Sequence, residues 1–387
     1  MLVEKNRKLG RNGTLIKMKT YNNIYEKIID KYNIRLAHMN ARKDKTFYKE
    51  VQMVDSDMDF YITEIHNMLK DWTYKIEESD YRTSKINDKW KERELWKLAY
   101  YPHRIVQWAI MIQLEPIFLE VFCNHTCASL KNRWIHYAYN LTKKYLENEE
   151  ETKYCLKIDI RKFYPSIDHN ILKQLLRRKI KCKDTLKILD TIIDSYPGEK
   201  WVPIGSYLSQ YLANYYLAYF DHYIKEELKC KYVVRYMDDV IILSNSKEFL
   251  HNILAKIQEY LWKIKLEVKH NYQIFPVDKR GIDFVGYRFF RKFILLRRST
   301  TKRLKEKLVE IKKKKADKKR LLNYSEWCSV NSYLWRLIHC DSRRLCEKYI
   351  DPLRISTYRY YYYVITDKNK KKTRKFKRKM DKMKGRK

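Results

Sequence analysis

One stretch constrains this chain more than any other: KYVVRYMDDVIIL (231–243), in which two apolar, β-rich runs flank adjacent carboxylates. Runs of that length with turn-prone acids between them predict a β-hairpin carrying Asp238 and Asp239 at its tip. Neighbouring carboxylates repel, and each is costly to desolvate unless a cation is shared. Hard divalent cations such as Mg2+ favour carboxylate oxygens and keep positions open for phosphate. Taken alone, Asp-Asp between strands reads as a solvated turn, because turns favour aspartate. A metal site needs a further carboxylate from another element.

That carboxylate lies upstream, in YCLKIDIRKFYPSIDH (154–169), where an apolar, alternating segment ends at Asp159 and a turn with Pro165 and Ser166 follows. A strand ending in Asp159 beside the hairpin tip brings three acids together. Three is the minimum set for two metal ions clamping the attacking and leaving oxygens of an in-line phosphoryl transfer. With PIGSYLSQYLANYYL (203–217) between them, these segments resemble, in order and spacing, the catalytic motifs of a reverse transcriptase palm. The resemblance implies an α+β right-hand polymerase of fingers, palm and thumb. Its antiparallel palm sheet would carry Asp159, Asp238 and Asp239, and its thumb would be helical. It also implies two Mg2+ ions (or Mn2+), the Ile160 carbonyl in a metal shell, dNTP substrates, an RNA template and a DNA product.

Further roles follow from the same resemblance. Tyr164, five residues after Asp159, stands where the family carries an aromatic steric gate that excludes a 2′-hydroxyl. Phe163 beside it reads as the core aromatic. In YYPHRIVQWAIMIQLEPIF (100–118), Arg104 starts a helix that Pro116 is expected to end. Lys131 and Arg133 follow on a short turn. These cations would grip the incoming triphosphate, although each alone reads equally well as a solvated or RNA-backbone cation. Ile204, Gly205 and Gln210 belong to the nucleotide-binding motif, with Gly205, Ser206, Ser209 and Ala213 expected to leave one helix side open. Here the chain departs from the common Gln-Gly…Ser-Pro pattern. Its Ile-Gly…Ser-Gln resembles reverse transcriptases of diversity-generating retroelements, a pattern that some related bacterial lineages share. With the apolar Ile204 in place of an amide, selectivity leans on shape alone, and reduced fidelity is expected. Lys269 and His270 are both candidates for protonating pyrophosphate. RGIDFVGYRFF (280–290) resembles a primer-grip hairpin, with Gly286 at the bend and Phe284 and Tyr287 packing on the primer or palm.

The remaining sequence bounds these readings. A chain of 387 residues has room for several packed subdomains, and a net charge of +37 is tolerable mainly when a polyanion neutralises it. Tyrosine is abundant, which suits base stacking, although most tyrosines are ordinary core and surface residues. Eight irregularly spaced cysteines read as reduced thiols of a cytoplasmic protein. Cys123, His125 and Cys127 lack a second nearby pair for zinc; His339, Cys340 and Cys346 are too distant. No apolar run is long enough to cross a membrane, and the first residues lack a signal-peptide segment. The expected order is a helical extension at 1–97, fingers at 98–152, palm at 153–290, thumb at 291–365 and a disordered basic tail at 366–387.

No ribonuclease H-type, integrase or endonuclease signature follows the thumb, so a structured noncoding RNA is the expected supplier of template. A companion protein or homo-oligomer is possible, and membrane partners are not expected. Two settings fit: a diversity-generating retroelement, or antiphage defence. Competing readings are an RNA-templated RNA polymerase, a template-independent DNA polymerase of abortive-infection type, and a noncatalytic RNA-binding scaffold.

Overall fold

The structure, a computed structural model, describes residues 7–9, 15–17, 19–88, 91–318 and 324–350, with side chains for 19–85, 94–314 and 325–350. The basic tail and the last part of the expected thumb lie outside the described residues. The chain divides into two compact units: Met1–Tyr145 with Glu150–Phe275, and Leu146–Glu149 with Pro276–Lys387.

The first unit opens with an antiparallel strand pair, β1 (Arg7–Leu9) and β2 (Leu15–Lys17). Helices α1 (Tyr25–Ile29), α2 (Lys31–Ala41), α3 (Lys49–Ser56) and α4 (Met58–Lys70) follow. Asp30 caps α2 by accepting from the Tyr32 and Asn33 amides at 2.9 and 3.1 Å, satisfying donors that the first turn leaves open. Ile34, Val51, Ile65 and Leu69 are buried at helical spacing. The helical expectation for this region fails beyond α4. Residues 81–98 form a hairpin, β3 (Tyr81–Asp88) and β4 (Lys91–Leu98), with Thr83 opposite Trp96. Charges recur too often along these strands to leave a helix an apolar stripe.

Helix α5 (Ile105–Val121) runs through Pro116, correcting the expected stop there. A proline inside a helix removes one backbone bond and costs on the order of 3 kcal/mol. Burial of Leu114, Ile117, Phe118 and Val121 around it offsets that cost. The chain then runs through β5 (Thr126–Cys127), α6 (Ile135–Leu146), β6 (Tyr154–Asp159) and the single turn α7 (Phe163–Ser166). Helices α8 (His169–Lys179), α9 (Lys183–Asp194), α10 (Tyr207–Tyr216) and α11 (Ala218–His222) lead to β7 (Tyr232–Tyr236) and β8 (Asp239–Ser244). On α10 the expected open side is closed: Ser209 and Ala213 are buried in contact distance of α5 and α8, and only Gly205 and Ser206 before the helix stay accessible.

A five-stranded sheet ordered β5-β7-β8-β6-β9 holds this unit together, with β9 at Gln273–Pro276. Val240, Ile241, Ile242 and Leu243 of β8 are all buried, as expected of a central strand covered on both faces. Ser246 caps α12 (Lys247–Lys263), which lays Leu250, Ile253, Leu254, Ile257 and Leu261 against β6 and β8. Directly after α12 the chain makes one bridge, Ile160 to Val268. Lys265, left-handed at φ 57°, turns the chain before a strand can start.

In the second unit, α13 (Val277–Arg280) leads to a three-stranded antiparallel sheet of β10 (Ile282–Phe284), β11 (Tyr287–Phe289) and β12 (Ile294–Leu296). Two helices follow as expected, the lysine-rich α14 (Arg298–Lys318) and α15 (Tyr324–Leu337). Leu304, Leu308, Trp327 and Val330 are buried.

Candidate active site

Between β7 and β8 only Met237 and Asp238 remain, so the hairpin closes on a two-residue turn. Such turns require left-handed backbone to match the strand twist. Met237 adopts it at φ 56° despite its side chain, at a cost of roughly 1–3 kcal/mol. Asp239 opens β8 directly opposite Asp159, the last residue of β6. The Ile160 amide donates to the Asp238 carbonyl at 3.2 Å, fastening the strand end to the turn. The three acids and Ile160 therefore gather at one end of the sheet. Among the described residues, no three carboxylate, imidazole or thiol groups form a ready-made metal cage. Carboxylate and carbonyl oxygens, the donors that Asp159, Asp238, Asp239 and Ile160 offer, are those that hard divalent ions favour.

Charge at this end is unevenly balanced. Burial, reinforced by Asp159 and to a lesser degree Asp239, pushes the Asp238 carboxyl up to about 6, against a smaller opposing pull from Lys269. Lys269 Nζ pairs with the Asp159 carboxylate, and the Lys269 amide donates to the Asp159 carbonyl at 2.8 Å. Lys157 Nζ lies 3.9 Å from Asp239. His270, the other candidate proton donor, is 88% exposed and faces Glu267 at 3.6 Å rather than the acids.

Tyr164 on α7 reaches the turn, its hydroxyl 3.9 Å from Met237 Sδ, while Phe163 is buried. Arg104, at the N-terminus of α5, joins Trp96, Lys97, Gln107, Gly205 and Ser206 around a small cleft. Arg104 Nε and Gln107 Nε2 are buried there without hydrogen-bond partners. The Ser206 hydroxyl donates to Gln107 Oε1 at 2.6 Å. Gly205 sits at φ 125°, which L side chains rarely adopt. Ile204 and Gln210 are half-buried and do not line this cleft. Lys131 is exposed on its turn, whereas Arg133 donates to the Cys123 carbonyl at 2.8 Å and closes its own loop. That loop is stitched to the sheet through β5, with Cys127 beside Tyr236.

Sequence reasoning missed Lys97 and Gln107. A lone amide in the otherwise apolar IVQWAIMI run was the available signal for Gln107. It also missed Arg235, which occupies the interior of β7. His125 faces Asp221 at 3.6 Å, and the Cys127 thiol is directed at the His125 carbonyl. In the second unit, Phe284 and Tyr287 are buried and face each other in register, and the Tyr287 hydroxyl donates to the Arg336 carbonyl at 3.2 Å. Their rings are not available to a primer; the accessible feature is the turn Val285-Gly286, where Gly286 takes φ 93°.

The sheet is not wholly antiparallel as expected: β6, β8 and β7 pair antiparallel, and the short edge strand β5 runs parallel to β7. Acids at one end of such a sheet, flanked by helices, make the palm of a right-hand polymerase. The family described as "Reverse transcriptase (RNA-dependent DNA polymerase)" matches residues 91–289, just over half of the chain. The chain belongs to the reverse transcriptase family. Protein YkfC of Escherichia coli (strain K12) is 24% identical over 232 residues, covering 49% of this chain and 61% of that protein. A putative COX1/OXI3 intron 2 protein of Saccharomyces cerevisiae is 22% identical over 252 residues, covering 48% of this chain and 29% of its own length. The chain thus spans less than two thirds of either relative. Among solved structures, apo telomerase from Candida tropicalis is similar at a TM-score of 0.43 and 13% identity, covering 58% of this chain and 48% of that one. The family generally uses divalent metals. No helix among the described residues is long and apolar enough to cross a membrane.

Proposed function

We propose that this protein is an RNA-directed DNA polymerase that extends a primer with dNTPs on an RNA template. The observation that carries the reading is the direct opposition of Asp159 and Asp239 at the ends of adjacent central strands, with Asp238 in the turn between β7 and β8. Asp159, Asp238, Asp239 and the Ile160 carbonyl would hold two Mg2+ ions. When bound, these ions would activate the primer 3′-hydroxyl and neutralise the departing pyrophosphate. Lys269, already paired with Asp159, is the residue we assign to proton delivery at its Nζ, in preference to His270. Lys97 and Arg104 would meet the triphosphate at the Gly205 cleft, joined by Lys131, while Tyr164 would pack beneath the sugar. Val285-Gly286 would be the part of the primer-grip hairpin that touches the primer backbone.

The test is primer extension on a defined RNA template with Mg2+ and dNTPs. We expect template-directed DNA, and at least a roughly 10³-fold loss for Asp159→Asn or Asp238→Asn. Product of random or homopolymer sequence supports template-independent synthesis instead, and extension with rNTPs alone supports an RNA polymerase.

For biology, we propose that a structured noncoding RNA supplies the template in the cytoplasm. The Ile204 and Gln210 departures support error-prone copying in a diversity-generating retroelement. The N-terminal helices and the basic C-terminal half support an antiphage RNA–protein complex. Sequencing the RNA that copurifies with the protein, and the DNA made from it, separates the two.

A further inference from the structure

Behind the acidic turn lies a polar cluster sealed from solvent. Arg235 in β7 and Asp221 on α11 are both 0% exposed. The guanidinium donates from Nε to Asp221 Oδ1 at 2.7 Å and from Nη2 to Oδ2 at 2.6 Å, a two-pronged pair. Its Nη1 is shared between Asn214 Oδ1 at 3.1 Å and the Met237 carbonyl at 3.0 Å. The Asn214 amide donates in turn to the Ala128 carbonyl at 3.0 Å, and the Thr126 hydroxyl donates to Asp221 Oδ2 at 2.6 Å.

Buried ion pairs add little net stability, since desolvation consumes much of the attraction. Apolar side chains of similar volume would fill this space about as well. What apolar groups cannot do is hold backbone carbonyls. The two carbonyls held here belong to Met237 and Ala128, both in left-handed backbone at φ 56° and 80°. One precedes Asp238 in the acidic turn; the other opens the loop that carries Lys131.

We propose that Arg235 is a positioning residue: through the Met237 carbonyl, and with Asp221 and Asn214, it fixes the acidic turn and its spacing from the basic loop. The inference rests on the reading of Asp159, Asp238 and Asp239 as the metal site. Arg235 does not touch substrate or metal; it sets the geometry in which the carboxylates accept an ion.

The test uses the full-length protein and Mn2+ alone, followed by electron paramagnetic resonance, beside steady-state primer extension. Arg235→Met combined with Asp221→Leu removes the network without stranding a buried charge; Arg235→Lys keeps the charge but not the fork. We expect both to keep the wild-type circular dichroism spectrum and template–primer affinity. The Mn2+ dissociation constant should rise about 10- to 100-fold in the double variant and less in Arg235→Lys. The loss in extension should fall mainly on kcat, with a smaller rise in KM for dNTP through the loop that carries Lys131. A folded variant of either kind with wild-type Mn2+ affinity overturns the inference, as does a loss confined to KM. If the double variant does not fold, Arg235→Lys alone decides by the same readings. Wild-type protein that binds Mn2+ no better than Asp238→Asn overturns the metal-site reading itself, whatever Arg235 does.

Discussion

Asp238 is the residue whose environment departs furthest from water among the three acids. Its folded pKa of about 6 stands above the unfolded value near 3.9, so the folded metal-free protein binds that proton more tightly. Stability from this group is present below about pH 4 and is lost as pH rises through about 6. In the presence of a chelator, the Tm of Asp238→Asn should therefore gain on wild type between about pH 5 and pH 7. Parallel melting curves across that range would sink this account. Tyr164 carries a second prediction at this scale. Replacing its ring with the smaller side chain of Val should raise rNTP incorporation relative to dNTP by roughly 10²-fold, read from single-nucleotide kinetics on one template. Both residues were legible in sequence because adjacent acids between apolar runs and an aromatic soon after a strand end are local patterns. Arg235 was not. Its meaning depends on Asp221 and Asn214, 14 and 21 residues upstream on other elements, and only the fold unites them.

At the level of elements, the sheet and α12 form the frame that holds the acids. Ile257, fully buried on α12, packs in that frame, and Ile257→Ala should cost about 2–5 kcal/mol, measured as a lower urea midpoint at unchanged slope. Residual extension per folded molecule should stay near wild type. The hairpin at 231–243 was readable because two apolar, β-rich runs flank turn-prone acids. The failures have equally physical causes. Pro116 signals a stop locally, yet the surrounding core holds α5 through it. Residues 81–98 carry so many charges that no period stands out, and pairing between β3 and β4 decides their state. The small-residue side of α10 looked like space for a ligand; in the fold that space is taken by neighbouring helices.

Across the whole molecule, a net charge of +37 calls for a polyanion, and the lysines of α14 show how densely some elements carry it. Binding to structured RNA should fall linearly in log K against log salt, with a slope of about −0.7 to −0.9 per phosphate neutralised. Fluorescence anisotropy over a salt series gives that slope, and a flat line would mean the charge serves something other than nucleic acid. The sequence offers no linker at 275 and no hint that Leu146–Glu149 belongs with the later residues. That threading has a practical consequence. Arg291 holds the Leu146 carbonyl at 3.0 Å and the Glu149 carbonyl at 3.3 Å. Cutting the gene after codon 275 therefore does not release a tidy fragment; it leaves a four-residue segment, midway along the retained residues, stripped of the guanidinium that satisfied it.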